Sequence, residues 1–212
     1  SFLLMPMSSQ GIEVRPLKTM TGDASFNEVF FTDVRIPAGQ IVGERGEGWK
    51  VATALLEHER SMLGDPNMTL SRFNALVDLM KSETVDGRSL IDEPVWCDRL
   101  IKIQCRMLAL KCNDLRILSA LSSGESAGLA SMVVKMEGTE LRHDLEGLAI
   151  DVLGELGTLY GDSPYVRDEG MWQKHYMYYL GLIIGGGTSQ IQKNIIAERG
   201  LGLLKDPQNF SG

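Results

Sequence analysis

From about Gly48 onward the apolar residues of this 212-residue chain recur at intervals of three and four, whereas before about Gly43 they alternate or run in β-branched stretches. A period near 3.6 lines apolar side chains along one face of a helix, and a period of two lines them along one face of a strand. The strand-like runs include Ile12-Glu13-Val14 and Glu28-Val29-Phe30-Phe31-Thr32-Asp33-Val34, punctuated by Thr21-Gly22-Asp23 and Pro37-Ala38-Gly39, and alone they are too small to close a sheet. Helices are predicted over 49–81, 94–121, 125–156, 166–182 and 188–199. The breaks carry turn chemistry in Asp86-Gly87-Arg88-Ser89, Ser122-Ser123-Gly124-Glu125-Ser126, residues 157–164 and Gly185-Gly186-Gly187. The predicted fold class is therefore mainly α, an antiparallel helical bundle with a short N-terminal β segment.

Composition limits what such a bundle does. With 43% hydrophobic and 23% charged residues, the chain has an ordinary globular balance and enough length for a sizeable core. A net charge of −7 argues against a basic footprint for nucleic acid or an anionic membrane. The longest apolar run, Tyr176-Met177-Tyr178-Tyr179-Leu180-Gly181-Leu182-Ile183-Ile184, is far short of the roughly 20 residues of a membrane span. Cys97, Cys105 and Cys112 fall in one helical segment where Ile101, Cys105, Leu108, Cys112 and Leu115 alternate by four and three, so they read as small buried hydrophobes, in a spacing that matches no zinc or redox motif. His58, His143 and His175 are isolated from one another and from ligand clusters, and no metal is assigned. The aromatic cluster from Met171 to Tyr179 suits a pocket lining or a subunit contact, and aromatic residues on a bundle helix more often read as core.

Two places could carry chemistry. Trp49, Ala52, Leu56, Glu59 and Leu63 share one helical stripe, so Glu59 is expected to face the interior or a cleft. A carboxylate there suits a general base, and equally suits a structural ion pair with an arginine of another helix. Farther on, Gly185-Gly186-Gly187 allows close approach of backbone to a ligand, and Thr188 or Ser189 can cap the helix carrying Ile191, Ile195 and Ile196. The same residues also suit a plain glycine turn before an amphipathic helix.

The run Gly185-Gly186-Gly187-Thr188-Ser189-Gln190-Ile191-Gln192, continuing to Leu203, resembles the C-terminal signature of the acyl-CoA dehydrogenase family. A second block agrees with it in order and separation: Gly11-Ile12-Glu13-Val14-Arg15-Pro16-Leu17, then Phe26 to Pro37, then Gly46-Glu47-Gly48-Trp49. This block resembles the end of that family's middle β domain and the entry into its helical domain. The resemblance implies a trailing part of the β domain at 1–43 and the C-terminal helical-bundle domain at 44–212. It also implies that the chain is the C-terminal piece of a longer protein and is inactive alone.

The resemblance further implies a flavin-dependent acyl-CoA dehydrogenase that oxidises an acyl-CoA thioester to the trans-2-enoyl-CoA with reduction of FAD. In most family members the catalytic carboxylate immediately precedes the Gly-Thr of the final motif, a position held here by Gly186, which has no side chain. In the isovaleryl- and long-chain-like members it stands in the first helix of the C-terminal domain just before an arginine, and here that pair is Glu59-Arg60. Glu59 is thus the implied base for the α-proton, with Glu57, His58, Arg60 and Gly187 at the substrate and Thr188, Ser189 and Gln190 at FAD. An electron-transferring flavoprotein as acceptor and a homo- or heterotetramer are implied as partners. The implied location is the bacterial cytoplasm, or the mitochondrial matrix in a eukaryote.

Two family blocks are altered. Glu83-Thr84-Val85-Asp86-Gly87 stands where the family commonly has Arg-x-x-Phe-Gly, a grip on the flavin dinucleotide of a neighbouring subunit, and Asp151-Val152-Leu153-Gly154-Glu155 stands for Gln-x-x-Gly-Gly. Acids beside a pyrophosphate are unfavourable. The alternatives are a non-catalytic or partner subunit of a heteromeric dehydrogenase, and an acyl-CoA oxidase on the same fold.

Overall fold

A computed structural model of the chain describes residues 1–63 and 66–204, without the side chains of Glu57, His58, Arg60, Ser61 and Met62. The chain divides into two units, Ser1–Glu59 and Arg60–Gly212.

In the first unit, β1 (Phe2–Leu3) pairs antiparallel with β4 (Ile41–Val42), and β2 (Ile12–Leu17) pairs with β3 (Phe26–Phe31) in the register Ile12↔Phe31 to Leu17↔Phe26. Two separate two-stranded ladders result, in keeping with strand runs too few to close a sheet. Both faces of the β2–β3 hairpin are open: Val14, Leu17, Phe26, Val29, Phe30 and Phe31 are all exposed. The helix α1 (Gly48–Leu63) begins in this unit and crosses its boundary.

The second unit is the helical bundle: α2 (Pro66–Ser82), α3 (Pro94–Ser122), α4 (Gly128–Leu153), α5 (Met171–Ile184) and α6 (Ser189–Ile195), with a π-helical turn continuing α6 over Ile196–Gly200. A two-residue hairpin of β5 (Thr84–Val85) and β6 (Arg88–Ser89) follows α2, and Asp86 and Gly87 at its tip both take positive φ, as a type I′ turn demands. The sequence reading of one helix over 49–81 is corrected. Two helices stand there, and the second opens on Pro66, whose missing N–H and ring exclude it from a helix interior but suit a first turn. Likewise α5 begins at Met171, later than the predicted 166, because Asp168, Glu169 and Gly170 take φ of 48°, 55° and 74°, a left-handed run that no α-helix can include.

Within the bundle α4 is the central helix, packing on α2, α3 and α5. Its apolar positions Leu141, Leu145 and Leu148 meet Leu76 and Met80 of α2, Ile103 and Met107 of α3 and Trp172 of α5 in one core. A second stripe of α4 is buried yet polar: Lys135, Thr139, Arg142 and Glu146. The Glu146 carboxylate, 0% exposed, accepts two hydrogen bonds of 2.7 Å from the Arg72 guanidinium. That guanidinium lies 4.0 Å from the Trp172 ring centre, and Trp172 Nε1 donates to Asp168 at 2.5 Å. His175 Nδ1 is 3.6 Å from the same carboxylate, too far for a hydrogen bond, and its ring stacks on Tyr179. Burial, with the negative charge of Glu146 nearby, pushes the Tyr179 phenol above its ordinary range and keeps it neutral.

Two substitutions separate the apolar from the ionic part of this core. Leu145→Ala leaves a cavity around a side chain with no exposed surface and is expected to lower unfolding free energy by about 2–5 kcal/mol. Arg72→Met strands the Glu146 carboxylate in the interior and is expected to lower it by about 3–5 kcal/mol. Urea titrations followed by far-ultraviolet circular dichroism measure both.

Candidate functional site

A short glycine loop of the second unit joins α5 to α6. The apolar helix α5 ends at Ile184, and Gly186 and Gly187 then take φ of 65° and 100°, so the chain turns where a side chain would be strained. A Cβ on Gly187 would also meet Gln192 Nε2 at 2.6 Å. Thr188 caps α6, its Oγ1 accepting from the Ile191 N–H at 3.3 Å.

Two buried side chains hold the carbonyls of this loop. Gln192, 2% exposed, donates from Nε2 to Gly186 O at 3.0 Å. Lys135, 1% exposed, donates from Nζ to Ile183 O at 2.8 Å and Gly187 O at 2.7 Å. Neither residue was singled out from the sequence. The signal for Lys135 lay in its spacing, since Lys135, Thr139, Arg142 and Glu146 follow at four, three and four, a polar stripe inside an apolar helix.

Of the expected flavin contacts, Thr188 is half-buried, Gln190 is exposed, and Ser189 is buried with an Oγ that has no hydrogen-bond partner among the described residues. An orphaned buried hydroxyl is uncommon and marks a place where a polar ligand atom would be welcome. Gly187 stands beside them in the same loop. On α1, Glu59 and Trp49 are exposed, whereas Ala52, Leu56 and Leu63 of the same stripe are half-buried, so of the interior or the cleft expected for Glu59 the interior does not hold within these residues. The side chains of Glu57, His58 and Arg60 lie outside the described residues.

Other readings are settled by burial. Cys97 is half-buried, but Cys105 and Cys112 are exposed together with Ile101, Leu108 and Leu115, so the four-three stripe of α3 is an apolar seam on the surface and not a core face. In the aromatic cluster Trp172 and Tyr179 are core, whereas Tyr176 and Tyr178 are exposed; the Tyr176 ring stacks on His143 at 4.5 Å. Glu83, the acid standing in the altered family block, is paired with Arg167 at 3.1 Å, so its charge is partly neutralised. These two residues line a cleft of about 640 Å³ with Arg72 and Trp172. Among the described residues no helix is long and apolar enough to cross a membrane.

A helical bundle that ends in a side-chain-clamped glycine loop and a capped short helix is the architecture in hand, and comparison supplies its family. Residues 46–201 match the acyl-CoA dehydrogenase C-terminal domain. The chain is 35% identical over 208 residues to acyl-CoA dehydrogenase IpdE1 of Mycolicibacterium smegmatis, covering 97% of this chain and 50% of that protein. It is 29% identical over 207 residues to acyl-CoA dehydrogenase FadE26 of Mycobacterium tuberculosis, covering 96% and 52%. Among solved structures it superposes on the ChsE4-ChsE5 complex from Mycobacterium tuberculosis with a TM-score of 0.83 at 30% identity, covering 96% of this chain and 53% of the matched one. The Tcur3481-Tcur3483 steroid ACAD shares the fold with a TM-score of 0.84 at 22% identity, covering 96% and 52%. The chain belongs to the acyl-CoA dehydrogenase family, and it spans about half the length of the curated relatives it matches.

The loop geometry predicts opposite outcomes for two glycines. Gly187→Ala combines a strained φ with a clash against Gln192 and is expected to destabilise by more than about 1 kcal/mol. Gly181→Ala, in helix α5 with open space at its Cβ position, is expected to stabilise by about 0.5–1 kcal/mol. Thermal unfolding of the two variants beside the parent measures the contrast.

Proposed function

We propose that this chain is the C-terminal part of a flavin-dependent acyl-CoA dehydrogenase, with residues 1–43 closing the middle β domain and 44–212 forming the helical domain. The observation that carries the reading is complementary: Gly186 offers no carboxylate before Gly187-Thr188, while Glu59-Arg60 supplies one on α1, where Glu59 is exposed and so able to meet a ligand. Family membership supports an oxidoreductase of this class and FAD as its cofactor.

The residues of the glycine loop fit such a group. Ser189 Oγ is an unsatisfied buried polar atom, Thr188 retains a hydroxyl proton to donate while its oxygen accepts from Ile191, and Gln190 presents its amide to the surface. When bound, FAD supplies the acceptor for the β-hydrogen of the acyl-CoA. Glu59 removes the α-proton, holding it on the carboxylate as the α,β double bond forms. That proton is weakly acidic, so the carboxylate must stand within hydrogen-bond reach of it while donors polarise the thioester carbonyl. Glu57, His58 and Arg60 flank Glu59 on the same helix and shape the substrate site, and Gly187 admits the acyl group because it carries no side chain.

A second reading is a partner subunit of a heteromeric dehydrogenase, which passes electrons through a flavin completed elsewhere. It is favoured by the acids Glu83, Asp86, Asp151 and Glu155 in the two altered blocks, and by the 30% identity to a chain of the ChsE4-ChsE5 complex. An acyl-CoA oxidase on this fold would differ by forming peroxide stoichiometrically. In the dehydrogenase reading the acceptor is an electron-transferring flavoprotein and the compartment the bacterial cytoplasm.

Anaerobic titration of the full-length parent with a panel of acyl-CoAs tests the main reading. Flavin bleaching in the wild type, and its slowing by at least about 100-fold in a Glu59→Gln variant that still holds FAD, is the expected result. Unchanged bleaching in the variant places the base elsewhere, and a parent without flavin favours the partner-subunit reading.

Assembly as a homo- or heterotetramer is proposed on the seam of Ile101, Cys105, Leu108, Cys112 and Leu115, which a partner helix would cover. Leu108→Asp combined with Leu115→Asp is expected to reduce the sedimentation coefficient of the full-length protein to that of a smaller species, with helix content retained.

A further inference from the structure

The Gly185–Gly187 loop has two residues in left-handed conformations, and glycine there leaves the backbone many alternatives in the absence of a restraint. Two restraints act on it, and they differ in reach. Gln192 belongs to α6 itself, six residues from the Gly186 carbonyl it holds, so it moves with the loop and fixes only its local shape. Lys135 stands on α4, 48 and 52 residues away from the carbonyls of Ile183 and Gly187. It alone of the two ties the loop to the central helix of the bundle.

We propose that Lys135 is a positioning residue for the ligand-contacting loop: by donating to Ile183 O and Gly187 O it sets the peptide planes from which Thr188, Ser189 and Gln190 meet the flavin. A trans peptide is planar with C=O and N–H opposed, so a Gly187 carbonyl aimed at Lys135 turns the Thr188 N–H away from it. Thr188 in turn caps α6, so the plane fixed by Lys135 also fixes where that helix begins. An ammonium group with 1% exposure is expensive to bury before its hydrogen bonds are counted. A methionine would fill similar space without that penalty. What the ammonium adds is donors for two carbonyls on either side of the glycine turn.

The inference rests on the reading of this loop as the flavin contact, and the experiment separates the two. Lys135→Met, Lys135→Arg and Thr139→Val are made in the full-length protein; Thr139, also fully buried on α4, bonds only toward its own helix and serves as the control for lost packing. Hydrogen exchange by mass spectrometry over residues 183–192, FAD affinity of the deflavinated protein, and the visible spectrum of bound flavin are the readouts. Lys135→Met is expected to exchange faster in that segment, to weaken FAD binding by about tenfold or more, and to shift the flavin bands, with partial rescue by Lys135→Arg. Thr139→Val is expected to lower the melting temperature and leave all three unchanged. Should Lys135→Met fail to fold, the same readouts on Lys135→Arg decide, since moving the donors without removing the charge must still alter exchange and spectrum. A flavin-loaded wild type whose Lys135 variants keep its exchange, affinity and spectrum overturns the inference. A wild type that takes up no flavin, yet shows faster loop exchange on Lys135→Met, overturns the flavin reading and leaves Lys135 as a structural pin alone.

Discussion

A carboxylate with no exposed surface has to be met by charge and hydrogen bonds, and Glu146 obliges the helices around it to comply. Arg72 of α2 supplies both, in a fork of two bonds of equal length. The guanidinium lies over the Trp172 ring of α5, and Trp172 Nε1 donates to Asp168. One ionic contact therefore fixes three helices and the strained turn that opens α5. Apolar packing alone would tolerate small rotations of α2 and α5 against α4; a bidentate pair stacked on an indole does not.

The same helix carries Lys135 three turns upstream, so α4 organises both the core and the glycine loop with one polar stripe. Its chemistry changes along its length: an ion pair with Arg72 at one end, donation to main-chain carbonyls at the other. Helix α1 is organised differently. Its stripe mixes exposed Trp49 and Glu59 with half-buried Ala52, Leu56 and Leu63.

Much of this was legible in the residues. Periodicity placed α3, α4 and α6 to within a few residues, and turn chemistry marked the β5–β6 hairpin and the glycine loop. The misplaced starts share one cause, local backbone geometry that periodicity does not encode: Pro66 divides an unbroken apolar pattern, and Asp168-Glu169-Gly170 adopt left-handed φ that only Gly170 advertises. Burial was harder. The stripe of Ile101, Cys105, Leu108, Cys112 and Leu115 has the spacing of a core face, and spacing cannot tell a face turned to the core from one turned outward. At the site, the glycines and Thr188 were legible because their backbone roles are local, whereas Lys135 and Gln192 were not, because their partners are main-chain carbonyls that no side-chain pattern reveals.

The exposed apolar surface bears on the life of the polypeptide in a cell. The α3 seam and the Phe26, Phe30 and Phe31 side chains of the hairpin together give a nascent chain sticky patches at two separate places. Exposed apolar surface of this kind is what chaperones and proteases recognise, so the fate of the polypeptide in a cell depends on how much of that surface stays open and for how long.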